Sequence, residues 1–460
     1  MVDWSSTLSR RSLLAGGAAL AGGAVAARAA AAVPHPLRER AGRAALAPAS
    51  WPLAAHDLRA TRHAPGAAGL ERRWRAHFPG GVPATAAIAG EVVYAASAKG
   101  AVAALALADG RELWRVQLGT SAYGSGEGRR ELGFFSGVAV APGAVVVASE
   151  RVHCLDPATG AARWTAAPLR TKSSDDYFWG APTIVGGMVL VGSGSGGEVP
   201  TARGGVTAYS LADGSLLWST ATVPAGANGG GVIGPTSVDP GAGVAYVATG
   251  APYKTLPGPN PGTCSLLALR LSDGKVIWRD QVHRHDTHGF DFNSAPVISG
   301  ARLFATNKDG IYAWNRFTRK RLWHRRLSDP FAAGEAVAGP TGGPEGGPIA
   351  SDGHRVYVLS NDPASGGCVA AALAPHSGRV LWRRPLPAPT FAAPALGGGR
   401  LFVAGSDGTL RALDAGSGRV AGQAPLGEAS SAAPAIARGH LVVGTGAEPF
   451  IPGSSLVCLG

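Results

Sequence analysis

Short runs of alternating apolar and polar residues recur along the chain from about residue 70 to its end. Seven stretches share one layout: AVAALALADGRELW, RVHCLDPATGAARW, GVTAYSLADGSLLW, SLLALRLSDGKVIW, GIYAWNRFTRKRLW, CVAAALAPHSGRVLW and TLRALDAGSGRVAG. Each reads as a half-buried strand, a tight turn and a second strand. Trp114, Trp164, Trp218, Trp278 and Trp382 each stand four residues after the turn glycine. Trp323 keeps that spacing with Arg319 in the glycine position, and in the seventh copy Gly422 replaces the Trp. An Asp-Gly pair suits a two-residue hairpin loop, because such loops need positive φ. The Trp offset puts a large ring on one face of the outer strand, where it can pack between neighbouring sheets.

Upstream of each hairpin lies another pair of short strands, as in TAAIAGEVVYAAS, GAPTIVGGMVLVGSG and SAPVISGARLFATN. Four short strands repeating at about 40–60 residues is the pattern of propeller blades. The chain ends in SSLVCLG, a strand with no Trp partner after it. GLERRWRAHF, with Trp74, is a Trp strand with no partner before it. Pairing these two closes the ring and removes its open edge. The expected fold is all-β: an eight-bladed β-propeller of four-stranded antiparallel blades over 67–460, closed by its N- and C-terminal strands. Residues 33–66 read as an irregular N-terminal arm outside the ring.

Composition agrees with this. The chain has 460 residues with 68 Gly and 34 Pro, and only 16% are charged. The net charge of +12 is mostly scattered arginine. The densest group, Arg316, Arg319, Lys320, Arg321, Arg325 and Arg326, falls on a turn and a strand. It reads as a solvated outer strand, so no nucleic-acid partner is expected. At the N-terminus, Arg10-Arg11 precede a weakly apolar Ala/Gly stretch and small residues between Ala27 and Ala32. Residues 1–32 therefore read as a twin-arginine signal peptide, implying Tat export to a periplasmic, cell-wall or extracellular location. The apolar stretch is short for a membrane span, and none is expected elsewhere. Cys154, Cys264, Cys368 and Cys458 are isolated, without CxxC or CxxCH, and read as buried free thiols.

The unusual residues lie in the loops between blades and between second and third strands: TKSSDDYFWGAP, GSGSGGEVPTARGG, GANGGGVIGP, TGAPYKTLPGPNPGTCS, HRHDTHGFDFNSAP and TNKDG. In a propeller all of these emerge on one face, opposite the tight turns. Loops on a rigid scaffold are where function concentrates, and their glycines let backbone approach a flat ligand. Three readings of the histidine-rich loop are open. It can be a catalytic loop, a transition-metal site of His283, His285 and His288, or a structural loop whose His and Asp bond to backbone.

The repeat resembles the pyrroloquinoline-quinone (PQQ) propeller repeat, and the loop order resembles the eight-bladed quinoprotein alcohol dehydrogenases, especially their polyvinyl-alcohol-dehydrogenase-like branch. That resemblance implies PQQ and Ca²⁺ as cofactors and a small-molecule or polymeric alcohol as substrate. Glu198 matches a family glutamate that ligates Ca²⁺, and Ser195, Gly196 and Gly197 match positions close to the quinone. Asp291 matches the general base, and Lys308 a basic residue contacting the quinone carbonyls. The chemistry is coherent: a hard cation needs carboxylate oxygen, a carboxylate takes the hydroxyl proton, and a lysine stabilises charge growing on a quinone oxygen. Without a haem motif, electrons would pass to a separate acceptor. The sequence departs from the family pattern at Ala251, where a metal-ligating Asn is expected, and at Ile233, where a Trp floors the quinone. The alternative is a cofactor-free propeller that binds a protein partner on the channel rim, similar to the outer-membrane assembly lipoprotein propellers.

Overall fold

The computed structural model describes residues 50–123, 130–166, 176–195, 202–253, 259–292, 294–329 and 348–460. Eight four-stranded antiparallel sheets follow one another. Blade 1 is Ala87–Ala89, Val92–Ala96, Ala101–Ala106 and Glu112–Gln117. Blade 3 is Thr183–Val185, Met188–Ser195, Gly205–Ser210 and Leu216–Ala221, and blade 4 is Ser237–Asp239, Val244–Ala248, Ser265–Arg270 and Val276–Gln281. Blade 5 is Val297–Ser299, Arg302–Asn307, Gly310–Asn315 and Arg321–Arg325. Blades 2, 6 and 7 repeat the pattern, beginning at Ala139, Ile349 and Ala395. Blade 8 takes three strands from the C-terminus and its outer strand, Arg72–His77, from the N-terminal side. Trp74 faces Cys458 in that pair, as the ring closure requires.

The conserved spacing of tryptophans has a direct structural cause. Each outer-strand Trp lies opposite a small residue of its own blade: Ala104 for Trp114, Cys154 for Trp164, Ala208 for Trp218 and Ala372 for Trp382. A bulge follows immediately in each pair and tips the ring toward the next blade. There the indole N–H donates to a turn carbonyl: Trp74 to Leu107, Trp114 to Pro157, Trp164 to Leu211, Trp218 to Leu271, Trp323 to Pro375 and Trp382 to Ala415. The ring lies flat on that turn's glycine, so a Cβ at Gly110, Gly160, Gly214, Gly274, Gly378 or Gly418 would collide with it. Glycine is thus required twice over, by φ near +70° and by ring contact.

Two irregularities of the repeat follow from this. Arg319 holds the left-handed turn conformation at φ 62° and donates to Ile277 O, beside Trp278. Gly422 replaces Trp in blade 7 because blade 8 offers no turn there. The two chain ends meet instead, and Leu70 fills the space, with its Cδ1 2.6 Å from where a Cβ of Gly422 would lie. The turns themselves are longer than the two-residue loops implied by the Asp-Gly pattern. Ala106 N–H bonds Arg111 O across a four-residue loop in which only Gly110 is left-handed. Asp109, Asp213 and Asp273 accept from the backbone N–H two residues on, so the Asp caps the turn rather than adopting positive φ.

Residues 50–66 are irregular, but they do not lie outside the ring. Trp51 exchanges both backbone hydrogen bonds with Ile88 on the innermost strand of blade 1. Carbonyls of Pro52, Leu58, Arg59, Thr61 and Arg62 then accept from Val140, Val238, Ile298, Ser351 and Leu396, on the innermost strands of blades 2, 4, 5, 6 and 7. His63–Ala64 completes the circuit as a parallel strand on blade 7. The arm therefore winds round the wall of the central channel. Trp51 and Arg62 are buried, and left-handed His56, Ala60 and Arg62 let the backbone keep turning. The four cysteines are buried free thiols, and burial pushes Cys154 up to about 11 and Cys368 and Cys458 to about 12. Among the described residues no helix is long and apolar enough to cross a membrane.

Candidate functional site

On the face opposite the Asp-Gly turns, the loops of blades 3, 4 and 5 are tied into one arc. Ser195, at the end of the long second strand of blade 3, donates its N–H to the hydroxyl of Tyr253 in blade 4 at 2.9 Å. That phenol reaches between Gly194 and Gly231, where a Cβ on either would come within 2.8 Å of its oxygen. Two residues before Tyr253, Ala251 donates its N–H to Asp291 Oδ1 at 2.5 Å. Gly250 must be glycine here, since a Cβ would sit 2.9 Å from the same carboxylate oxygen. Three residues beyond Asp291, the Ser294 hydroxyl accepts from Thr306 N at 2.9 Å and donates to Thr306 O at 3.2 Å. Lys308 follows, half-buried, in the next turn.

Ser195 and Asp291 thus meet one loop, through Tyr253 and Ala251, whereas Lys308 is reached only along the chain from Thr306. Gly196, Gly197 and Glu198 lie outside the described residues. Asp291 is anchored through one oxygen only; its other oxygen accepts no hydrogen bond from the described residues. It is partly exposed. Among the described residues it is therefore a positioned carboxylate with one oxygen left unbonded.

Two residues of this arc were not legible beforehand. Tyr253 bridges blades 3 and 4. Trp179 occupies in blade 3 the repeat position of Ile233 in blade 4, since each precedes the glycine (Gly180, Gly234) that opens its blade. Its indole packs on Tyr177 at 4.6 Å and Phe135 at 6.3 Å, and its Cδ1 comes 3.8 Å from a Cβ placed on Gly194. The aromatic wall missing at Ile233 is present one blade earlier. The Trp-Gly-Ala-Pro string was the available signal.

The histidine-rich loop is built around Asp286. This buried carboxylate accepts from His288 N at 3.0 Å and Phe290 N at 2.9 Å, which folds the loop on itself. His283 and His288 flank the Phe290 ring at 4.9 and 5.6 Å, and His285 is exposed. His283 turns instead toward Asp309, with its Nε2 3.8 Å from the carboxylate. Asp309 is buried and receives Tyr312 Oη at 2.7 Å and Arg326 Nε at 3.0 Å. Burial holds His283 below its usual range despite Asp309 and Asp286 nearby, so it is neutral at pH 7. Among the described residues no three His, Cys, Asp or Glu side chains are grouped to hold a metal. The three-histidine metal site is not formed among the described residues; Asp286 bonds to backbone, while the rings of His283 and His288 lie against Phe290.

Fit to the two cofactors differs. Calcium takes six to eight oxygens. Asp291 has one oxygen engaged, Asp286 and Asp309 are taken up by their own hydrogen bonds, and Ala251 has no side-chain oxygen. The described residues do not make a calcium site. A flat anionic quinone is better matched, by an aromatic face at Trp179 and a cation at Lys308, while the glycine backbone at 194, 231 and 250 is covered by the Tyr253 phenol and the Asp291 carboxylate.

A family profile described as outer membrane protein assembly factor BamB matches residues 4–128, 98–341 and 331–455. Among curated proteins, a polyvinylalcohol dehydrogenase from Pseudomonas sp. is 26% identical over 375 residues, covering 69% of this chain and 55% of its own length. The chain thus spans little more than half of that relative. Among solved structures, quinohemoprotein alcohol dehydrogenase from Comamonas testosteroni superposes with a TM-score of 0.71 at 19% identity, over 92% of this chain and 81% of the other. BamB from Moraxella catarrhalis superposes less closely, with a TM-score of 0.56 at 16% identity, over 85% of this chain and 97% of the other.

Proposed function

Because the chain belongs to the PQQ-repeat propeller family and is related to the quinoprotein alcohol dehydrogenases, we propose that it is an exported alcohol oxidoreductase of the quinoprotein kind, with its site on the rim of blades 3 to 5. The observation that carries this reading is the Asp291 carboxylate, fixed at one oxygen by the Ala251 amide and open at the other. Such a group can take the proton of a substrate hydroxyl without first breaking a bond of its own. Bound PQQ would supply the two-electron acceptor for the alcohol carbon. Lys308 would neutralise negative charge at the rim, and Trp179 would cover one side of a planar group and keep water from it. No step is assigned to calcium. Electrons would leave through a separate acceptor, and the twin-arginine pattern supports export.

The test is a titration of the purified protein with PQQ, with and without Ca²⁺, beside dye-linked oxidation of small and polymeric alcohols. Binding should saturate at micromolar quinone. Asp291→Asn should keep binding and lose at least about 100-fold in turnover. Absence of saturable binding would end the proposal. A second reading, a cofactor-free rim that binds a protein partner, is favoured by Tyr253. Its phenol already fills the gap between Gly194 and Gly231, and in that case Tyr253→Gly would leave quinone binding absent.

A further inference from the structure

Blades 5, 6 and 7 carry a continuous band of exposed apolar and cationic side chains on their lower outer rim. Continuity follows from the blade contacts: Arg325 Nε donates to Gly378 O, and Arg384 Nε to Gly418 O, so each outer strand abuts the next blade's turn. Along this arc Phe317 is 65% exposed, Leu322 44%, Leu381 38% and Val420 49%. Among the described residues, five of the eight exposed large apolar side chains fall here once Val380 is included. Arg319, Lys320, Arg379 and Arg419 stand exposed among them, each at or next to a turn. The Arg316 guanidinium lies 4.4 Å over the Phe317 ring. The nearby acids are engaged: Asp280 by Arg321, Asp239 by Arg316, and Asp414 by its own turn. Among the described residues none of these apolar side chains packs into the propeller's core clusters, and the band lies on the side of the tight turns, away from the Asp291 arc.

We propose that this rim docks on an anionic lipid surface. Clustered cations are drawn to a negative headgroup layer, while bulky apolar side chains interleaved with them partition into the headgroup–acyl boundary. A soluble polyanion would neutralise the arginines but leave Phe317, Leu322, Leu381 and Val420 in water. Only a bilayer interface satisfies both halves of the band.

The test is co-sedimentation of the full chain with phosphatidylglycerol/phosphatidylcholine vesicles and with pure phosphatidylcholine vesicles, with inorganic polyphosphate as competitor. Binding should be at least about tenfold tighter to the anionic vesicles and fall steeply with added salt. Lys320→Glu/Arg379→Glu and, separately, Phe317→Ser/Leu381→Ser should each weaken it about tenfold while the urea midpoint is unchanged. Equal binding to neutral vesicles would overturn the proposal. So would rim variants that sediment like the parent, which would place binding in the N-terminal segment. Polyphosphate binding that depends on the cations, with vesicle binding indifferent to Phe317 and Leu381, would overturn it in favour of a polyanion.

Discussion

Gly274→Ala tests the ring-on-glycine contact that repeats around the propeller. A Cβ at Gly274 would stand 2.7 Å from Cδ2 of Trp218 and 2.6 Å from the Thr220 hydroxyl. Neither neighbour can retreat freely, because the indole is held to Leu271 O at 3.0 Å and the hydroxyl to Gly274 O at 2.8 Å. The substitution incurs two penalties. A left-handed conformation for a residue with a Cβ costs roughly 1–2 kcal/mol, and overpacking against a fixed ring costs roughly 1–3 kcal/mol more. Gly243 separates them: its φ is 66°, close to the 70° of Gly274, but nothing lies within 4 Å of its Cβ position. Gly243→Ala should therefore show the conformational penalty alone. In urea unfolding followed by tryptophan fluorescence, the two variants should differ by about 1–3 kcal/mol. Adding Trp218→Leu should shrink the difference to what the Thr220 contact contributes, since the ring is the larger obstacle. Equal midpoints for the two alanine variants would refute the docking argument.

The reverse change at Arg319 should stabilise. Arg319→Gly relieves a left-handed arginine at φ 62°, and a gain of up to about 1 kcal/mol after loss of the Ile277 hydrogen bond should appear as a higher urea midpoint. Asp57, in the channel arm, gives a pH signature. Burial raises its pKa, but the neighbouring His56 ring, 3.6 Å away, and hydrogen bonds from Thr61 outweigh that and hold it below the ordinary carboxylate value. A depressed carboxylate stabilises the fold above its unfolded pKa and stops doing so as pH falls through the folded one. The stability gap between the parent and Asp57→Asn should therefore be constant above about pH 5 and shrink below about pH 4 in urea titrations; a gap that does not narrow would refute the assignment.

The propeller was legible because its blades repeat and because turn glycine and Trp keep a fixed spacing. The pairing of Trp74 with Cys458 followed from two orphan strands at the ends of the chain. The course of residues 50–66 was not legible. Its contacts are backbone bonds from carbonyls at uneven intervals to six different blades, and its turns use His56, Ala60 and Arg62 where a sequence reader looks for glycine. At the rim, the glycine-rich loops drew notice to the segments in which Ser195 and Asp291 meet the loop carrying Ala251 and Tyr253. What they could not disclose was that Tyr253 spans two blades or that Asp291 is held by a neighbouring amide. Contacts between loops distant in sequence carry no period. The histidines misled because their crowding reflects a loop folded over Asp286 and Phe290, with His283 turned away to Asp309.

The channel arm ties the blades together independently of the seam. Residues 50–64 are lodged within a torus whose final seam joins the strand beginning at Arg72 to the last strand of the chain, Ser455–Leu459. The arm and the seam are separate fastenings: the arm bonds to the innermost strands of blades 1, 2, 4, 5, 6 and 7, and the seam closes blade 8. Loss of the final half-dozen residues would unfasten the ring at blade 8 while leaving the arm's own bonds in place.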